Sequence, residues 1–80
     1  MSNTEDKVID LTAELFGVKR EEISSSTRYV EDLGADSIYV MEMIMALEEA
    51  FDLDIPEEQY EKLSTVGITV EYIDNCLSEQ

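Results

Sequence analysis

Glu31-Asp32-Leu33-Gly34-Ala35-Asp36-Ser37 runs directly into Ile38-Tyr39-Val40-Met41-Glu42-Met43-Ile44-Met45-Ala46-Leu47-Glu48-Glu49-Ala50-Phe51. The second part predicts a helix from Ser37 to Phe51. At 100° per residue, Val40, Met43, Ile44, Leu47 and Phe51 gather on one side and are expected to face a core. Ile38, Met41 and Met45 form a second apolar stripe nearly opposite, flanked by Glu42, Glu48 and Glu49. A core on one side cannot also use that stripe, so either another part of the chain covers it or it is a binding surface. The first part sets a hydroxyl, Ser37, at the helix N-terminus after a glycine turn. A hydroxyl there can belong to a cap, act as a nucleophile or serve as an attachment point.

Working outward, a first helix is expected from just after Thr4 to about Phe16, ending on Gly17 as a left-handed residue. Val8, Leu11, Thr12 and Leu15 recur along it at helical spacing. The connection from Val18 to Asp36 is long for so small a chain, and such loops are often functional. Val18, Ile23, Tyr29, Val30 and Leu33 are its expected core anchors. Beyond Phe51, Ile55-Pro56-Glu57-Glu58 predicts a short third helix with proline at its first position. Thr65 is placed to cap a fourth, with Val66, Val70, Ile73 and Leu77 facing inward and Gly67 weakening its start. No segment alternates with strand period. The expected fold is all-α: a small four-helix bundle of three longer helices and one short one, with a long loop between helices 1 and 2, forming a single domain over residues 1–80.

The chain carries 20 acids against 5 bases, a net charge of −15. Nucleic acid is excluded as a natural partner, because binding a polyanion needs Lys and Arg to displace its counterions. An anionic membrane surface is disfavoured on the same ground, and no apolar run approaches the ~20 residues of a membrane span. Between Arg28 and Lys62 there are 11 acids and no base. This is either a solvated face or a docking surface for basic patches on other proteins. Such self-repulsion predicts marginal stability at low ionic strength, relieved by salt or divalent cations. The N-terminus shows no basic and apolar leader pattern, so the expected compartment is cytoplasmic. The lone Cys76 falls on the apolar stripe of the last helix, where a buried inert thiol is expected.

The chain contains no histidine. That removes a Ser-His-Asp triad, His-containing zinc sites and the usual general base near neutral pH. One cysteine cannot build a thiolate metal cluster, no glycine-rich phosphate loop occurs, and the acidic pairs lack the glycine register of a calcium loop. No metal site and no enzymatic activity are expected. Asp36-Ser37 remains. As a bare dipeptide it is explained by capping, with Asp36 accepting first-turn N–H groups. A phosphodiester on Ser37 would be favoured by those same N–H groups and the helix dipole. The dipeptide alone leaves both open.

The wider setting narrows the choice. Phe16-Gly17-Val18, Val30-Glu31-Asp32-Leu33-Gly34-Ala35-Asp36-Ser37, Met45-Ala46-Leu47-Glu48-Glu49 with Phe51, and Asp54-Ile55-Pro56 together resemble an acyl carrier protein, in order and spacing, from about Lys7 to Ile73. The resemblance implies that a phosphopantetheinyl transferase attaches 4′-phosphopantetheine from coenzyme A to Ser37, next to Asp36. The thiol of that arm would carry acyl groups as thioesters, which the carrier shelters between its helices. It also implies a monomer that docks basic patches of fatty acid biosynthesis or other acyl-transferring enzymes through Ile38, Met41, Glu42, Met45, Glu48 and Glu49.

Two positions depart from the family pattern. Asp-Ser-Leu is here Asp36-Ser37-Ile38, which keeps bulk and apolarity. The next residue, commonly acidic, is Tyr39, so a charge near the arm is replaced by a ring. That admits a specialised carrier serving a separate acyl, polyketide or aminoacyl pathway. An acidic helical interaction module without a prosthetic group is the remaining alternative.

Overall fold

Three α-helices are built from the predicted segments, the first starting at Asn3 rather than after Thr4. The computed structural model describes residues 3–78; residues 1–2 and 79–80 of the single domain expected over 1–80 lie outside the described residues. Helix α1 spans Asn3–Phe16, with Glu5 and Asp6 in its first turn, where the helix dipole favours negative charge. It ends on Gly17 at φ 67°, and the Val18 amide reaches back to the Ala13 carbonyl at 3.1 Å, a Schellman closure that requires a left-handed residue. Helix α2 spans Ser37–Phe51 and closes on Asp52 at φ 55°. Helix α3 spans Val66–Ser78, and the Thr65 hydroxyl caps it by accepting the Ile68 amide at 3.1 Å.

The expected short helix is a 3-10 segment, Glu57–Lys62. Pro56 sits before it as the cap with ψ 144°, not at its first helical position. Six residues between an extended proline and Leu63 are too few for cooperative α-helix, so tighter i→i+3 bonding wins. A second 3-10 turn, Arg20–Glu22, lies in the long connection.

Helix α1 packs against both α2 and α3, while α2 meets the 3-10 segment. The result is a small all-α bundle. Val8, Met43, Ile44, Leu47, Val66 and Ile73 are its fully buried apolar centre. The inward face expected for α2 is buried at Met43, Ile44 and Leu47 and half-buried at Val40 and Phe51. Cys76 is half-buried rather than buried; three residues past Ile73 it stands on the flank of the apolar stripe.

The connection is held at many points. Ile23 and Tyr29 are buried as expected, with Val18 and Leu33 half-buried. Val30 is 57% exposed, contrary to its expected inward role. The turn over residues 28–35, closed by Asp32 N–H to Arg28 C=O at 3.0 Å and Ala35 N–H to Tyr29 C=O at 2.9 Å, sends Tyr29 inward and its neighbour outward. The connection is also stitched to the start of α3. The Tyr29 amide donates to the Ser64 carbonyl at 3.2 Å, and the Val66 amide to the Thr27 carbonyl at 3.0 Å. These bonds form a single antiparallel bridge, Arg28 with Thr65.

Gly67 belongs to this junction rather than merely weakening a helix. Its amide donates to the Ser25 carbonyl at 2.8 Å, and a Cβ there would lie 2.8 Å from the Ser25 carbonyl oxygen. Helix propensity alone gives Gly67→Ala a gain of about 1 kcal/mol. Collision with a backbone atom held on both sides reverses the sign. Gly67→Ala is expected to lose about 1–3 kcal/mol in urea denaturation, and a midpoint at or above wild type would show that the junction yields.

Candidate functional site

The α2 N-terminus is assembled from backbone geometry first. Gly34 takes φ 70°, a left-handed turn that a side chain would strain. Asp36 follows in extended conformation and its carboxylate accepts the Tyr39 amide at 3.0 Å. Asp36 is thus the cap, and Ser37 is the first residue of α2, exposed to solvent. The unpaired amides of a first helical turn and the positive end of the dipole lie beside that hydroxyl.

Ser37 is also on the rim of a cleft of about 580 Å³. The cleft lies between the start of α2, the connection and the 3-10 segment. Tyr29, Ala35 and Leu63, all buried, form its floor. Val40 and Tyr60 are half-buried walls, and Val30, Asp36, Met41, Glu61 and Ser64 lie at the open edge. The Tyr29 hydroxyl donates to the Thr69 hydroxyl at 3.2 Å, and burial pushes its phenol pKa upward. Of these lining residues, the sequence marks Tyr29 and Val30 as core anchors and gives no expectation of a cleft at Ala35, Tyr60 or Leu63. Leu63 is the residue that ends the 3-10 segment rather than a member of it, so helical spacing flags neither it nor Tyr60.

The stripe on α2 is open. Ile38, Met41 and Met45 are 66%, 54% and 63% exposed, and no part of the long loop covers them. Glu42 and Glu49 are exposed beside them. Glu48 differs. It is half-buried, and its carboxylate accepts the Ile55 amide at 2.8 Å, bracing the turn after α2 from within. Tyr39 stands away from the stripe, because two residues turn a helix by 200°. Its ring stacks on Phe16 of α1, centroids 5.4 Å apart.

Charge is partitioned between the faces. Arg20 pairs with Asp10 at 2.8 Å, Arg28 pairs with Asp32 at 3.0 Å, and Lys7 lies over the Phe51 ring at 5.6 Å. Among the described residues, no ion pair engages the acids of α2 or of the 3-10 segment. No described helix is long and apolar enough to cross a membrane.

A family model described as a phosphopantetheine attachment site matches residues 6–73. The chain belongs to that family. It is a carrier of the acyl carrier protein type, holding a covalent 4′-phosphopantetheine, and it is not an enzyme. Its partners are a phosphopantetheinyl transferase and acyl-handling enzymes. The residues at the α2 N-terminus fit such a group: an exposed hydroxyl, first-turn amides suited to a phosphate, and an apolar cleft alongside.

The connection that leads to Ser37 carries a pH-sensitive clamp. Hydrogen bonds from the Arg28 guanidinium and amide hold the Asp32 carboxyl below its ordinary value of 3.8. A carboxyl depressed on folding stabilises the fold above its ordinary pKa, and that contribution fades as pH falls through the lower folded value. Asp32→Asn is therefore expected to flatten the stability–pH curve below about pH 4 while leaving its slope above pH 5 unchanged. Denaturant midpoints across that range check this, and an unaltered acid limb would contradict it.

Proposed function

We propose that Ser37 is the attachment residue, and that the chain is a monomeric, cytoplasmic carrier of acyl intermediates in fatty acid biosynthesis. One observation carries the reading: the exposed Ser37 hydroxyl stands at the α2 N-terminus on the rim of an apolar cleft. Asp36 caps the helix without using the hydroxyl, so capping and attachment divide between two residues instead of competing. When bound, the arm supplies a thiol that carries acyl groups as thioesters. The chain's own residues do the rest. First-turn amides and the helix dipole favour the phosphodiester charge. The Tyr29, Leu63, Val40 and Tyr60 side chains exclude water from an aliphatic chain.

The α2 surface supports docking of basic patches on partner enzymes through Ile38, Met41, Glu42, Met45 and Glu49, with apolar contacts inside an acidic rim. Glu48 contributes charge to that face while its carboxylate stays bound to Ile55. A specialised carrier is the second reading, and Tyr39 favours it: an exposed ring stacked on Phe16 gives the α1 flank of α2 an aromatic patch where an acid is usual.

Incubation with coenzyme A and a broad-specificity phosphopantetheinyl transferase is expected to raise the intact mass by one phosphopantetheine. Ser37→Ala abolishes the increase while retaining the helical circular dichroism spectrum. An unchanged wild-type mass under conditions that modify other carriers contradicts the reading, as does full modification of Ser37→Ala.

A further inference from the structure

The cleft walls and the cleft floor differ in how they are held. Tyr60 stands on a six-residue 3-10 segment, and Val30 and Met41 lie at the open edge. Their side chains make no hydrogen bond and can change rotamer without breaking one. Tyr29 cannot. Its hydroxyl is bound to Thr69, whose own hydroxyl is bound to the Thr65 carbonyl at 2.9 Å. Its ring lies against Phe16, centroids 6.4 Å apart, and its amide is bound to the Ser64 carbonyl. The side chain is 1% exposed.

We propose that Tyr29 sets the depth to which this carrier shelters its cargo, and is the residue that selects acyl chain length. The inference rests on the reading that Ser37 bears the arm. A chain carried on the arm and entering the cleft at the Ser37 edge passes Val40 and Tyr60 and meets Tyr29 on the floor. Each methylene kept in the cleft is worth roughly fourfold in an equilibrium. Swinging the ring out of the core costs roughly tenfold to a hundredfold for its lost burial alone. Parting the hydroxyl from Thr69 adds about twofold to tenfold. One or two further methylenes cannot offset that, so a longer chain leaves its end in solvent instead of pushing deeper.

The test uses the full chain loaded from acyl-coenzyme A by a transferase, with saturated chains lengthened two carbons at a time. Thermal midpoint and thioester lifetime in hydroxylamine are read for each. In the wild type both rise with chain length and then level off. Tyr29→Val leaves about two methylenes of room, and the levelling-off moves to longer chains. Tyr29→Phe keeps the ring volume and loses only the tether. It lengthens the lifetime of the first chain beyond the wild-type limit by about twofold to tenfold, and it decides the matter if Tyr29→Val does not fold. A wild-type series with no levelling-off, or a limit unmoved by Tyr29→Val and a lifetime unmoved by Tyr29→Phe, overturns the proposal. Failure of the underlying reading is distinct: the mass of the wild type would not shift on loading.

Discussion

The Tyr29 amide binds the Ser64 carbonyl and the Val66 amide binds the Thr27 carbonyl, and the rest of the molecule is arranged around that two-bond junction. It ties the middle of a long connection to the N-terminus of α3. From there the chain has only the turn over residues 28–35 and the Gly34 reversal before Asp36 starts α2. The place of Ser37 therefore follows from where Tyr29 is fastened. Burying the Tyr29 ring contributes about 2–3 kcal/mol, and its hydroxyl bond to Thr69 about 1 kcal/mol more. Gly67 is the steric condition of the same junction, since only a residue without a side chain lets Ser25 approach α3 so closely.

Charge follows the same division. Lys7, Arg20 and Arg28 are engaged with α1, the connection and the α2 terminus. The acids of α2 and of the 3-10 segment, which holds Lys62 as its one base, enter no ion pair among the described residues, so their potential is left largely uncompensated. The cations that make contacts are thus spent on α1, the connection and the α2 C-terminus, and the exposed acids of α2 are left unpaired. The apolar stripe of Ile38, Met41 and Met45 lies beside those acids, so in the proposed docking long-range attraction and short-range contact would fall on one face.

Much of this was legible from periodicity and punctuation. Two apolar stripes on Ser37–Phe51 predicted both the buried and the exposed face of α2, because 3.6-residue spacing is local information. Asp36, Thr65 and Gly17 announced their caps by residue type. What was not legible depends on contacts between distant segments. Val30 and Tyr29 are neighbours with opposite fates, decided by a turn that no apolar pattern encodes. Glu48 reads as one more surface acid until the Ile55 amide is brought to it. Gly67 reads as a weak helix start until Ser25 is placed beside it. Tyr39, the departure that raised the question of a specialised pathway, proves to face α1, because Phe16 supplies a stacking partner 23 residues earlier in the chain.

The central claim is that the connection is a built scaffold that fixes Ser37, not a flexible loop between helices. Native-state amide hydrogen exchange tests it most directly. The account predicts that the Tyr29, Ala35 and Val66 amides are protected to within about tenfold of the α2 core amides, because they open only with the bundle. Exchange of those three at near random-coil rates, with α2 still protected, would contradict it.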